Sequence, residues 1–285
     1  MFYLSSVILY SNQNLGTMKK LIFSLATIAA LTACKNNKSD AEPGEMIPAE
    51  ESTALNDDMN EQEEANINIE PVSHATAVIN WDDAVFYTDP VGGAELFTEM
   101  DKPNFILITD IHGDHMNAET LEGLELGDTK IIVPQAVKEQ LPETLQANLM
   151  VMANGDRMQL EGFTIEALPM YNLPEVDDAM HIKGRGNGYV LEKNGKRLYI
   201  SGDTEDIPEM RNLKNIDAAL VCMNLPYTMP VDQAAEGVLA FAPKKVYPYH
   251  YRGKDGLADV EKFKSLVQEK NDSIEVILLD WYPEM

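Results

Sequence analysis

Thr109-Asp110-Ile111-His112-Gly113-Asp114-His115 places two carboxylates and two imidazoles within six consecutive positions. Carboxylate oxygen and imidazole nitrogen are the donors that zinc-type ions take, and a catalytic ion keeps one position open for water. The segment follows Phe105 to Thr109, a short continuously apolar run that reads as a buried strand. A turn at a strand end can aim Asp110 and His112 to one side and Asp114 and His115 to the other, which suits two adjacent ions better than one. Ligand types recur at the ends of two further apolar runs: Asp203 in Ile200-Ser201-Gly202-Asp203-Thr204, and His250 in Val246-Tyr247-Pro248-Tyr249-His250. Residues this far apart meet on one rim if each sits at the end of a buried strand.

The chemistry so implied is attack by solvent at a carbonyl or phosphorus centre, since a bound ion lowers the pKa of its water from ~15.7 toward ~7. Covalent hydrolysis has no support. There is no Gly-x-Ser-x-Gly elbow, and Cys222, inside the apolar run Ala218 to Met223, reads as buried and inert.

The elements that must position these residues follow from periodicity and turn signals. Strands are expected at Ala75–Ile79 and Ala84–Thr88, paired across Trp81-Asp82-Asp83, and at Phe105–Thr109, Lys130–Val133, Phe163–Leu168, Ala218–Met223, Lys245–Tyr249 and Ser273–Leu279. Gly188–Leu191 and Arg197–Ser201 flank Lys193-Asn194-Gly195-Lys196, a hairpin signal. Helices are expected at Ala118–Leu124, Ala136–Gln140, Val231–Ala240 and Val260–Lys270. Asp280-Trp281-Tyr282-Pro283 is expected to pack the end of the last strand. The stretch 71–285 is long enough for one large α/β domain.

Upstream of it the chain reads as a delivery device. Met18-Lys19-Lys20, the apolar stretch Leu21 to Ala33 and then Cys34 have the order of a secretory signal, and that stretch of 13 residues is short of the ~20 needed to span a bilayer. Residues 1–17 precede the second Met and read as an upstream extension, and 18–33 as the signal. From 34 to 70 the chain reads as an acidic disordered tether. Ser39 to Glu70 holds eleven acidic residues and no Lys or Arg, and cannot bury enough apolar surface to offset its ordering entropy. The whole chain has 22 basic against 47 acidic side chains, a net charge of −25, which argues against nucleic acid as a partner. In so acidic a chain, Arg185 and Arg252 near the proposed rim are candidates to bind an anionic substrate group.

Taken together, these residues resemble the metallo-β-lactamase superfamily of metal-dependent hydrolases. Its hallmark is His-x-His-x-Asp-His after a strand, then a mid-chain His, then an Asp in a Ser/Gly-Gly-Asp-Thr turn, then a late His. The likeness is strongest to the branch that holds ascorbate-lactonase-like proteins and N-acylphosphatidylethanolamine phospholipase D, which opens with a segment matched here by His74-Ala75-Thr76. Thr88-Asp89-Pro90 matches that family's early structural Asp. Leu31-Thr32-Ala33-Cys34 likewise resembles a bacterial lipobox, which implies lipidation of Cys34 and a membrane anchor at the cell envelope.

The resemblance implies a four-layer αββα sandwich over residues 71–285. It assigns Asp110, His112 and Asn172 to one metal ion, and Asp114, His115 and His250 to another, with Asp203 bridging. Two positions depart from the hallmark: its first His is Asp110, and its mid-chain His is best matched by Asn172, although His181 on the following loop is a replacement. An amide oxygen is a weak donor that suits harder ions, so zinc is expected in one or two copies, with Mn, Fe or Mg as options at the first site. Asp114 would orient or deprotonate the water, and His74, His181 and Tyr227 are candidates to donate to the leaving group or oxyanion. The implied function is hydrolysis of an ester, lactone or phosphodiester on a small-molecule or lipid-derived substrate. The alternative is a degenerate, metal-stabilised surface binding lipoprotein.

Overall fold

The structure, a computed structural model of the chain, describes residues 67–283. Residues 1–17, the signal 18–33, Cys34 and most of the acidic segment therefore lie outside the described residues.

Strict alternation of side chains builds the first sheet. It runs in the order β1 (Ile67–Ser73), β2 (Thr76–Trp81), β3 (Ala84–Thr88), β4 (Phe105–Leu107), β5 (Lys130–Val133), β6 (Leu149–Val151). The first three strands are antiparallel, and β3 through β6 are parallel. Ile79, Phe86, Phe105, Leu107 and Ile132 face one core, whereas their neighbours Val78, Tyr87, Ile106, Ile131 and Val133 face another. A sheet buried on both faces must be covered on both. On the outer side the covering comes from α1 (Ala118–Gly123) with Leu121, α2 (Gln135–Lys138) with Val137, and the turns holding Leu141 and Leu145.

The second sheet comprises β7 (Arg157–Leu160), β8 (Phe163–Met170), β9 (Gly186–Lys193), β10 (Lys196–Ile200), β11 (Ala218–Cys222) and β12 (Lys245–Tyr249). A short hairpin of β13 (Arg252–Gly253) and β14 (Gly256–Leu257) follows, and β15 (Glu275–Val276) completes the second sheet beside β12. Its β7–β10 half is antiparallel, and β10, β11, β12 and β15 are parallel. The two sheets meet face to face: Trp81, Phe86 and Phe105 of the first lie 5.2, 5.7 and 5.4 Å, ring to ring, from Phe163 of the second. Outside the second sheet lie α3 (Pro208–Arg211), α4 (Val231–Phe241) and α5 (Val260–Lys270), which bury Met210, Ala234, Val238, Phe241, Phe263 and Val267. The αββα layering expected from the resemblance is thus the architecture of the described residues. None of their helices is long and apolar enough to cross a membrane.

The acidic segment ends earlier than expected. Ile67-Asn68-Ile69-Glu70 already belongs to β1 and pairs with β2 from Ile67–Trp81 to Glu70–Val78. The run of carboxylates conceals this strand, yet Ile69 alternates into the core and Glu70 accepts from Asn80. Both sheets change from antiparallel to parallel midway. The C-terminal ends of β4, β10 and β12 therefore open onto one rim, the place where α/β sheets present ligands.

Candidate metal centre

Each ligating segment is held by backbone before it offers a side chain. Past β4, Thr109 N–H and Oγ1 donate to the two oxygens of Asp89 at 2.7 and 2.6 Å, and His115 N–H closes a turn onto His112 O at 2.9 Å. Past β10, Gly202 adopts φ +60, and a Cβ there would meet Met170 Sδ at 2.7 Å and both Asn187 O and Thr109 Cβ at 3.2 Å. Only glycine fits between Ser201 and Asp203. His74, in the β1–β2 turn, and His250, past β12, adopt left-handed backbone at φ 56 and 47, and His250 N–H donates to His74 O at 3.3 Å. Backbone of this kind costs about 1–2 kcal/mol per residue, and strained positions of this sort cluster at functional sites.

The structure brings Asp203 to the centre of the rim. Its carboxylate oxygens stand 3.4 Å from His115 Nε2, 3.1 Å from His181 Nε2 and 3.2 Å from His250 Nε2. His115 Nε2 and His250 Nε2 are 3.0 Å apart, and Asp114 approaches them at 3.9 and 3.5 Å. His115, Asp203 and His250 thus form one ligand group and Asp110, His112 and His181 a second, while His74 and Asp114 make a further group with the shared His250. In the second, Asp110 Oδ2 lies 2.7 Å from His112 Nδ1 and 3.9 Å from His181 Nε2.

These groups fit a cation. Donors bound about 2.1 Å from a tetrahedral ion stand roughly 3.4 Å apart, the spacing seen around Asp203. Several of the atoms have no hydrogen-bond partner although they are buried: both ring nitrogens of His181, Asp203 Oδ1 and His250 Nδ1. Buried polar atoms are almost always paired; of these orphans, His181 Nε2 and Asp203 Oδ1 face the cluster and are ligands in waiting.

The site's electrostatics lean the same way. Burial alone would raise the carboxyl pKa values of Asp203 and Asp114. The imidazoles facing them more than reverse this, His250 and His115 at Asp203, His250 and His74 at Asp114, and both stay well below the usual carboxylate range. Burial would lower the pKa of His115, but Asp203 on one side and Asp89 on the other hold it well above the usual imidazole value. A divalent ion held by His115 would require that proton to leave. Asp89 Oδ2 accepts from His115 Nδ1 at 2.8 Å, which leaves Nε2 as the ligating atom.

His74 lies beside the first ligand group. Its Nε2 is 3.2 Å from Asp114 Oδ2 and its Nδ1 2.7 Å from Tyr282 Oη, which in turn accepts from Arg252 N–H at 3.1 Å. Burial lowers the pKa of His74 more than its Asp114 hydrogen bond raises it. The neutral ring then accepts from Tyr282 and donates to Asp114. Tyr282 has no local signal in sequence, being 208 positions from His74. Its neighbour Trp281 packs against β12, 5.5 Å from the Tyr249 ring.

The structure places three further expected site residues as follows. Asn172 does not join a ligand group: its Oδ1 accepts from His181 N–H at 2.8 Å and its Nδ2 donates to Tyr227 O at 2.9 Å, so it holds the loop that delivers His181 in its place. Arg185 does not present a free guanidinium to substrate, because Nε and Nη2 are bound to Asp110 at 3.2 and 2.9 Å. Tyr227 O accepts from Asn172 Nδ2, and the Tyr227 ring is half-buried. Arg252 remains exposed, its guanidinium 5.2 Å over the Tyr282 ring. Cys222 is buried, with its thiol pushed up to about 12 by desolvation, too high for a nucleophile.

Comparison with known proteins agrees with this geometry. Residues 61–251 match the family model described as a beta-lactamase superfamily domain. The chain is 32% identical over 181 residues to the UPF0173 metal-dependent hydrolase of Thermococcus onnurineus, covering 62% of this chain and 78% of that one. Among solved structures it is similar to a metal-dependent hydrolase of Parabacteroides distasonis, with 36% identity, a TM-score of 0.65 and coverage of 74% of this chain and 92% of that one. The metallo hydrolase Igni18 of Ignicoccus hospitalis, 23% identical with a TM-score of 0.63, covers 75% of this chain and 95% of its own and shares the fold. With two-thirds of its length matched by the family model, the chain belongs to the metallo-β-lactamase superfamily.

Proposed function

We propose that the protein is a metal-dependent hydrolase that cleaves an ester, lactone or phosphodiester bond of a small or lipid-derived substrate, exported and anchored at the cell envelope through a lipid on Cys34. The observation that carries this reading is Asp203, a single buried carboxylate facing three imidazole nitrogens between two ligand groups. Zinc, as one or two ions, suits these donors. Iron also takes two imidazoles and a carboxylate, and Mn or Mg are further options at Asp110, His112 and His181. When bound, such an ion acidifies a water and polarises the electrophile.

The chain's own residues supply the rest. Asp114, ionised and on the solvent side of His250, completes the group around Asp203 or orients the attacking water. His74 is neutral, carries its hydrogen at Nε2 within reach of Asp114 and has Nδ1 backed by the Tyr282 hydroxyl, so it is placed to orient Asp114 or to donate a hydrogen bond to a developing oxyanion. Arg252, exposed on Tyr282, is the cation for an anionic substrate group. Leu173, Val176, Met180 and Ile182 stand exposed on the loop that bears His181. Leu225 is exposed on the neighbouring turn, which Asn172 ties to that loop through Tyr227 O. This apolar rim supports a substrate with an apolar portion.

The test is elemental analysis of the full chain purified without added metal, joined to a screen of lactones, acyl esters and phosphodiesters before and after chelation. One or two equivalents of metal and turnover that disappears on chelation are expected. A metal-loaded protein that turns over none of the three classes, with His115→Ala indistinguishable from it, would instead favour the surface binding protein. For the anchor, Cys34→Ser is expected to move the protein from the membrane to the soluble fraction.

A further inference from the structure

The groups around His115 and around Asp110 have outer partners of opposite charge. Behind His115 stands a carboxylate, Asp89, 2.8 Å from Nδ1. Behind Asp110 stands a guanidinium. Arg185 spans it side-on, Nε to Oδ1 at 3.2 Å and Nη2 to Oδ2 at 2.9 Å, and Oδ2 is the oxygen that also faces His112 and His181. Asp110 is fully buried and the Arg185 side chain is 19% exposed, so solvent screens this pair poorly. The ion-pair partners of Asp203 among the described residues are imidazoles only.

These differences act on a cation in opposite directions. A carboxylate behind an imidazole makes the far nitrogen a stronger donor, and such outer partners commonly change metal affinity about 10–100-fold. A guanidinium forked onto a carboxylate draws charge from the oxygens that would ligate, and its own positive charge repels the incoming ion.

Resting on the metal-centre reading above, we propose that Arg185 is a specificity-determining residue for metal loading. By holding both oxygens of Asp110, it makes the group Asp110, His112 and His181 bind its ion far more weakly than the group His115, Asp203 and His250. The protein then keeps one ion and takes the other reversibly, in step with the surrounding metal concentration.

The experiment is titration of the chelator-treated full chain with Zn²⁺ against a chromophoric chelator, for wild type, Arg185→Gln and Arg185→Lys. Wild type is expected to show two classes of site whose affinities differ about 100-fold or more, in line with opposed outer partners. Arg185→Gln is expected to tighten the weak class about 10–100-fold and leave the tight class unmoved. Arg185→Lys, which keeps the charge but cannot hold both oxygens, is expected to fall between wild type and Arg185→Gln. Two equal classes in wild type overturn the proposal whatever the variants do, as does Arg185→Gln leaving the weak class unchanged or weaker. The absence of any zinc binding would overturn the metal-centre reading itself, and the proposal with it.

Discussion

Asp203→Asn is the perturbation that tests the centre most directly. The substitution keeps the side chain's volume and removes one negative charge from a position 3.1 to 3.4 Å from three imidazole nitrogens. Metal binding of about 10–16 kcal/mol at a four-ligand zinc site comes to roughly 3 kcal/mol per donor, or about 100-fold in affinity. Because Asp203 faces both ligand groups, both ions are expected to weaken by that factor. At free zinc well above the wild-type dissociation constants, a 100-fold loss removes about 2.7 kcal/mol of stabilisation for each ion. For a domain of this size that lowers the zinc-dependent rise in Tm by roughly 5–10 °C per ion. The assays are thermal unfolding with and without zinc and metal content after dialysis. Retention of both ions, with an unchanged zinc-dependent rise in Tm, would refute the placement of Asp203 between them.

Asn172→Ala removes the hydrogen bonds to His181 N–H and Tyr227 O, so thermal unfolding is expected to show a loss of about 1–3 kcal/mol. Asn172→His is expected to weaken zinc binding as well; an imidazole that strengthened it would show that position 172 faces the ion after all. Zinc stabilisation is expected to grow from pH 6 to pH 8. In chelator-treated protein, the contribution of His115, whose pKa is raised, is present below the unfolded value and is lost as pH rises through the folded one. Zinc needs that imidazole neutral, so it competes with the proton at low pH and replaces it at high pH. A zinc-induced shift in Tm that is flat or falls with pH would contradict this. Asp203 and Asp114, held low, contribute above the unfolded carboxylate value and lose that contribution as pH falls through their folded values, so acid destabilises the same cluster. Tyr282→Phe strips a partner from His74 Nδ1 and from Arg252 N–H at a cost of about 1–3 kcal/mol. Its Tm is expected to drop by roughly 2–12 °C, and a value within a degree of wild type would mean that water replaces the hydroxyl.

Much of this centre is local information and can be read along the chain. Asp110, His112, Asp114 and His115 follow a buried strand within six positions, and Asp203 and His250 each follow another. The alternation of Phe86 with Tyr87 and of Ile106 with Leu107 already implies a sheet covered on both faces. Those features depend on near neighbours and on period-two burial, which composition and order determine directly. The identity of the residue beside Asp110 and His112 does not. Asn172 and His181 sit nine positions apart on one loop, and hydrogen bonds from Asn172 to Tyr227 and Glu205, 55 and 33 positions away, decide which of them turns inward. Arg185 likewise meets Asp110 across 75 positions, and Tyr282 meets His74 only because the chain's last residues return to the first turn. Strand β1 shows the opposite limit, since its Ile67 and Ile69 are hidden in an acidic stretch until β2 offers them a partner. Side-chain type and spacing name the possible ligands, whereas long-range packing selects among them, because a loop's conformation is set by the bonds that its ends and side chains find elsewhere in the fold.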